Sequence, residues 1–248
     1  LNMNLLAKDK GSVLGGILLI AGSAIGGGML GLPMVTGLSG LYPALFIFVF
    51  CWVFMTITAL LLLEVNLFYG NDINFIGMTQ RSLGGLGKAI CWATYLFLFY
   101  SMLVAYIDSS GSLSQQLLKQ LFDFNITHWQ GSLFFTFLFG IFVFLGTGFV
   151  DHLNRFFMLG LIVTYLFVLA LGAKEIQVSL FENRVWTYSV LAIPVCIASF
   201  GYHNIIPTLT TYLKKDRSKI IWMILIGGAI PLIVYVFWDW LILGVVPG

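Results

Sequence analysis

Between Lys10 and Glu64 the chain contains no Asp, Glu, Lys or Arg, and this gap limits the fold more than any motif does. A helix needs roughly 20 predominantly apolar residues to cross the hydrocarbon core of a bilayer, so the interval has room for two crossings. Gly37, Ser39, Gly40 and Pro43 gather near its middle and supply turn chemistry that breaks one long helix into a hairpin. The pattern predicts a first span at about 12 to 35 and a second at about 42 to 66.

Further charge-free windows run from Lys88 to Asp108, Asp123 to Asp151, Arg155 to Lys174, Arg184 to Lys214 and Lys219 to Asp239. Each predicts another crossing, about seven in all. A lone charge at the bilayer centre costs about 2.5 to 3.5 kcal/mol on insertion scales, so its exclusion from every window is a physical constraint being obeyed. Composition agrees: 60% of residues are hydrophobic, 9% are charged and the mean hydropathy is +1.00. The expected class is an all-α integral membrane protein with one transmembrane domain. A net charge of +2 leaves no broad cationic surface for nucleic acid.

If the N-terminus is inside, the inner segments carry Lys8, Lys10, Arg81, Lys88, Arg155, Lys214, Lys215, Arg217 and Lys219, whereas Lys119, Lys174 and Arg184 lie outside. The positive-inside bias therefore predicts a multi-pass protein of the cell membrane with a cytoplasmic N-terminus and Gly248 on the outer side. Trp92, Trp129, Trp186, Trp222, Trp238 and Trp240 fall near predicted span ends, where an indole prefers the interface; Trp52 does not. The apolar stretch after Lys10 is too long for a signal sequence and reads as a retained span. The basic cluster Lys214, Lys215, Arg217 and Lys219 reads as a topology determinant beside anionic lipid. Asn125-Ile126-Thr127 matches a glycosylation sequon, a pattern of low specificity. Cys51, Cys91 and Cys196 are odd in number and lack metal-ligand spacing, so packing is their expected role, with no metal and no cofactor.

Function is sought where membrane logic is locally broken. The first span reads Ala21-Gly22-Ser23-Ala24-Ile25-Gly26-Gly27-Gly28-Met29-Leu30-Gly31-Leu32-Pro33, and each mid-helix glycine costs about 1 kcal/mol relative to alanine. The sixth reads Ile193-Pro194-Val195-Cys196-Ile197-Ala198-Ser199-Phe200-Gly201-Tyr202-His203-Asn204-Ile205-Ile206-Pro207, again interrupted near its middle. Paired interruptions five spans apart carry the signature of an inverted repeat with a midplane substrate site. Amides of Ala24 through Gly28, at the start of a half-helix, suit a carboxylate. Carbonyls around Ala198, Ser199 and Phe200 suit an ammonium or another cation. Together they fit an α-amino acid zwitterion. The competing reading is close helix packing, since Gly22/Gly26 and Gly27/Gly31 each match a small-xxx-small pattern. Residues 26–31 also satisfy G-x-G-x-x-G, but no strand or βαβ unit accompanies them.

Ala21 to Pro33, Leu61-Leu62-Leu63-Glu64-Val65 and Ser199-Phe200-Gly201-Tyr202-His203 resemble the tryptophan/tyrosine permeases, hydroxy and aromatic amino acid permeases of the amino acid/polyamine/organocation superfamily. The resemblance runs on through Asp151, Asn154-Arg155-Phe156 and Ile226-Gly227 to Trp238, essentially the whole chain. It implies a leucine-transporter-type bundle of two inverted five-helix repeats, the first over about 12–173 and the second beginning at about 187–248. It also implies proton-coupled import of tyrosine or tryptophan at a bacterial inner membrane. The family usually has eleven spans, so with seven the second repeat is expected to be cut short.

The substrate-site candidates are Ala24, Gly26, Gly27, Gly28, Ser199, Phe200, Gly201 and Tyr202, with Tyr100 added because the resemblance places its helix against the substrate. Phe200 and Tyr202 flank the second break, where an aromatic ring could stack on the substrate. His203, ionisable within a span, is the proton-coupling candidate. Glu64 is expected to pair with Arg81 or Arg155, and Asp239 to sit near the outer water. The rival classes are a seven-span channel or receptor and a membrane fragment without transport. An intramembrane enzyme is disfavoured because His128, His152 and His203 are scattered in sequence.

Overall fold

In a computed structural model, which describes residues 12–69 and 73–246, the chain is helical throughout, with no strand among the described residues. Lys8, Lys10 and Gly248, part of the topology argument, lie outside those residues, as do the side chains of Asp151, His152, Asn154 and Arg155. The α-helices are α1 Val13–Ala24, α2 Gly27–Thr36, α3 Leu41–Tyr69, α4 Phe75–Phe122, α5 His128–Phe144, α6 Thr147–Gly172, α7 Trp186–Ser189, α8 Ile193–Ser199, α9 Ile206–Tyr212 and α10 Arg217–Val245.

Five segments are long and apolar enough to cross a membrane: Leu41–Tyr69, Phe75–Phe122, Phe156–Glu175, Trp186–Tyr212 and Arg217–Val245. Val13–Ala24 and His128–Phe144 are apolar but shorter. The chain is thus a multi-pass helical membrane protein. One boundary departs from the sequence expectation. The third span does not stop near Asp108, because α4 continues to Phe122 through a Leu- and Gln-rich stretch of good helix formers. Near its start the helix is broken at Gly84, whose φ of 71° and ψ of −163° a side chain would resist.

The chain divides into two compact units, one within Leu1–Arg81 and Tyr165–Gly248, the other Ser82–Thr164. In the first, α10 packs along α1, α2 and α3, while α8 lies against α2 and α3 and α9 against α3. Its core gathers Ile20, Leu63, Tyr202, Ile206, Leu209, Ile220, Met223 and Ile224, all essentially without exposed surface. Glycines let α1 and α10 approach: a Cβ on Gly227 would lie 2.9 Å from Ile20 Cβ and 3.1 Å from the Ile17 carbonyl oxygen. The α2–α3 turn is locked as well. Gly40 has φ of 84°, and a Cβ there would fall 2.0 Å from the Asn183 carbonyl oxygen. Val185 N–H donates to the Ser39 carbonyl at 3.0 Å.

In the second unit the long parts of α4 and α6 and the whole of α5 present much of their apolar surface outward. Phe97, Phe137 and Phe144 are 75%, 74% and 90% exposed. Polar contacts join α4 to α5 within it: His128 Nε2 lies 3.4 Å from Asp108 Oδ1 at an exposed site, and Ser132 Oγ donates to the Ile107 carbonyl at 3.3 Å.

Candidate functional site

The first interruption is two residues wide. Ile25, still donating its N–H to the Ala21 carbonyl at 2.9 Å, turns to an extended ψ of 117°, and Gly26 follows at φ 170°, ψ −103° before α2 begins. No side chain caps the first amides of α2. A Cβ on Gly26 would meet nothing within 4 Å, so the opening faces free space.

A break inside a membrane helix leaves carbonyls that need donors, because an unsatisfied group in hydrocarbon costs several kcal/mol. The Ala24 carbonyl would ordinarily bond the amide four residues on, and the interruption removes that bond. Tyr235 Oη of α10 donates to it at 2.6 Å. The Met29 carbonyl is orphaned for a different reason, since Pro33, four residues on, has no N–H. Trp238 Nε1, one turn beyond Tyr235, donates to Met29 O at 2.6 Å. One face of α10 therefore supplies the donors that the broken helix lacks.

The second interruption separates α8 from α9. Pro194 and Pro207 stand in the first turns of those helices, where a missing N–H is tolerated. Between them, Phe200 to Tyr202 leave helical geometry and His203–Ile205 form a single 3-10 turn. The local carbonyls are partly used: Ala198 O accepts Gly201 N–H at 3.1 Å and Phe200 O accepts Tyr202 N–H at 3.2 Å. Each oxygen keeps a second lone pair. Ser199 Oγ turns back to the Val195 carbonyl at 2.7 Å.

The two breaks abut. Tyr235 Oη, besides its bond to Ala24 O, lies 3.4 Å from the Ser199 carbonyl oxygen. A Cβ on Gly28 would fall 2.4 Å from Tyr235 Oη and 2.7 Å from Ser199 Oγ, so that position accepts no side chain without displacement. Ala24, Gly28 and Ser199 are thus brought together around the Tyr235 hydroxyl, whereas a Cβ on Gly26 would meet nothing within 4 Å and one on Gly201 would lie nearest to Ala198 and Ile197 of its own turn. Phe200 and Tyr202 are fully buried: Phe200 packs edge-on to Tyr235 at 5.4 Å between ring centroids, and Tyr202 belongs to the hydrophobic core. Tyr100 is exposed on α4 in the second unit.

His203 Nε2 lies 2.9 Å from Thr58 Oγ1. The Thr58 hydroxyl also lies 3.0 Å from two carbonyl oxygens of its own helix, Phe54 O and Met55 O. Glu64 does not pair with Arg81, one of the two expected partners; the side chain of the other, Arg155, lies outside the described residues. Its carboxylate takes two bonds from Arg217 at the start of α10, 2.8 Å from Nε and 2.5 Å from a terminal nitrogen. Sequence spacing cannot foresee that pairing, because α3 and α10 are brought side by side only by the fold. Tyr235, Trp238 and Thr58 also escaped the sequence reading. A signal for two of them was present: Tyr235 and Trp238 are three apart and share a helix face, and Pro33 announces a carbonyl in need of a donor.

The described residues thus form a multi-pass helical bundle whose first helix and a later one are interrupted at adjoining places. The sequence comparisons narrow this further: residues 9–248 match the tryptophan/tyrosine permease family, and the chain belongs to that family. It is 30% identical to a tryptophan-specific transport protein of Haemophilus influenzae over 98% of this chain and 61% of the relative. It is 32% identical to tyrosine-specific transport system 1 of the same organism over 91% of this chain and 56% of the relative. The low affinity tryptophan permease of Escherichia coli K12 is 27% identical over 97% of this chain and 60% of its own length. The chain thus spans about three fifths of the length of these relatives. No solved structure matches.

Proposed function

We propose that the chain forms the substrate-binding part of a proton-coupled importer of tryptophan or tyrosine, on the leucine-transporter-type plan of inverted repeats. In this reading α1 and α2 together make one crossing, the α7-to-α9 segment makes the sixth, and α3, α4, α5, α6 and α10 complete seven. The first repeat then occupies about 12–173 and the second begins at about 187–248.

The observation that carries the reading is the Tyr235 hydroxyl set between the carbonyls of Ala24 and Ser199, which puts both openings at one spot. The substrate carboxylate would take the uncapped amides at Gly26, Gly27 and Gly28, where a helix N-terminus favours negative charge. Its ammonium would take the spare lone pairs of Ala198, Ser199 and Phe200, beside Gly201. Phe200 and Tyr202 hold the second break from behind with rings buried in the core. The relatives' names, tryptophan-specific and tyrosine-specific, support an aromatic amino acid as cargo. The Glu64–Arg217 pair supports the proposed order of crossings, because it puts the end of α3 and the start of α10 on one membrane side; the cytoplasmic N-terminus rests on the distribution of basic residues alone.

The test is uptake of labelled tryptophan, competed by tyrosine, in bacteria lacking their own aromatic uptake and expressing a protein that carries this chain at the length of its relatives. Saturable, competed accumulation that collapses with the proton gradient is expected. Flux that never saturates would assign a channel, and a sodium requirement at fixed pH would remove the proton from the proposal.

A further inference from the structure

Asp239 is the one acidic side chain fully withdrawn from the surface among the described residues: its exposure is 0% and neither carboxyl oxygen has a hydrogen-bond partner. It stands on α10, one residue beyond Trp238 and four beyond Tyr235, on the face that serves both carbonyls of the broken first helix. The hydroxyl of Thr36, at the end of α2, lies beside it and is equally buried. That hydroxyl donates to the Leu32 carbonyl at 2.8 Å. The neighbouring hydroxyl of Ser39 is likewise spent, on Thr36 O at 3.0 Å.

The remaining surroundings supply no compensating charge. Cys196 of α8 is the titratable group within its field, and Cys196 is hydrogen-bonded to Cys51 of α3, both thiols being buried. Lys174, Glu175 and Glu182 lie on the short 3-10 turns that pack on α10. None of them forms an ion pair with Asp239, and α1 and α2 bring no charged residue at all. An ionised carboxylate here would be buried without a donor or a counter-ion, which costs several kcal/mol. A carboxylic acid carries no such charge into the same place, and a small approach would let its O–H donate to Thr36 Oγ1.

We propose that Asp239 is the proton-binding residue of the carrier, holding one proton against Thr36 and so fastening the half-helix α2 to α10 next to the substrate break. Loading the site adds one solvent proton to the carboxylate, and release returns it. Release needs water at Asp239, which requires α2 to part from α10. The same displacement strains the Trp238–Met29 bond beside the Gly26 opening, so proton and substrate sites share one moving element. The proposal rests on the carrier reading given above but makes a different residue, and not His203, the seat of the coupling proton.

The experiment is infrared spectroscopy of the purified chain in lipid at neutral pH, comparing the wild type with Asp239→Asn and Thr36→Val, with tryptophan binding followed separately by fluorescence. The wild type is expected to show the C=O band of a protonated carboxyl group, absent in Asp239→Asn and shifted in Thr36→Val because its acceptor is gone. Circular dichroism checks the fold of each variant; should Asp239→Asn fail to fold, the shift in Thr36→Val decides. Absence of the band in the wild type, its persistence in Asp239→Asn, an unshifted band in folded Thr36→Val, or its loss on adding sodium at fixed pH would each overturn the proposal. A chain that shows the band but binds no tryptophan would instead sink the carrier reading and leave the proton on Asp239.

Discussion

The two units have sequences of similar hydropathy and opposite interiors. In the first, apolar helices close on one another until glycines at positions 28 and 227 touch side chains of their neighbours, and polar tips are spent on specific carbonyls. In the second, Gly111 and Gly131 bring α4 close to α5, but Gly140 and Gly160 have nothing within 4 Å and Phe144 is 90% exposed. Hydropathy reports only that a segment prefers lipid or protein to water, and does not say which. Small residues and Pro mark where a backbone must approach or open, as they do between residues 22 and 43, between 194 and 207 and at Gly227 and Gly228 in the first unit.

The strongest way to break that comparison is Gly227→Leu. Its Cβ alone would press on Ile20 Cβ and on the Ile17 carbonyl, and backbone cannot rotate away as a flexible side chain can. A loss of about 3 kcal/mol or more is expected, at the upper end for overpacking, read as a fall in the thermal unfolding midpoint in detergent. A midpoint unchanged from the wild type would show that α1 and α10 do not meet at this register. Tyr235→Phe comes next, because it keeps the ring against Phe200 and deletes only the hydroxyl. Leaving the Ala24 carbonyl without its donor is expected to cost about 1 to 3 kcal/mol and to weaken tryptophan binding. Stability and binding both at wild-type level would mean that the hydroxyl does not bridge the breaks.

Much of this arrangement was legible in the sequence, and the part that was not has a physical reason. The breaks could be read because Gly26 to Gly28, Pro33, Gly201 and Pro207 act on their own backbone, so local sequence is sufficient evidence. Their partners could not, because Tyr235, Trp238 and Arg217 act on backbone or side chains more than 150 residues away in the chain. Asp239 departs from expectation for the same reason: its nearness to the outer end of the seventh span suggests water, whereas the packing of α2 on α10 removes it. His203 was seen as ionisable, but its bond to Thr58 depends on α3 and could not be anticipated. The extension of α4 to Phe122 escaped because charge-free windows measure the hydrocarbon and not the helix, which can run on into water.

A smaller effect of opposite sign sharpens the contrast. Gly160→Ala in α6 places a methyl in open space and removes backbone freedom from the unfolded chain, so it is expected to stabilise by up to about 1 kcal/mol. The same thermal assay reads it. A destabilisation equal to that of Gly227→Leu would show that the outer face of α6 is packed against something and would dissolve the distinction between the units.

The smallest expected effect lies outside the spans, at the N-cap of α10. Asp216 Oδ2 is 2.6 Å from Lys219 Nζ, and Oδ1 accepts the Lys219 amide at 3.2 Å. The Lys219 side chain first, and its backbone N–H second, hold the Asp216 carboxyl below its ordinary value. A depressed folded-state value means that the cap contributes stability above the ordinary carboxylate range, about pH 3.9, and loses it as the pH falls through the lower folded value. Because Asp216 is fully exposed, the effect is confined to fraying of the first turn and is weakened by salt. Hydrogen exchange at the Lys219 amide is therefore expected to accelerate on acidification, relative to amides deeper in α10, and to do so less in Asp216→Asn. Equal acceleration along the whole helix would mean that α10 loosens as one body, and that the tight packing of the first unit, not its cap, is what acid attacks.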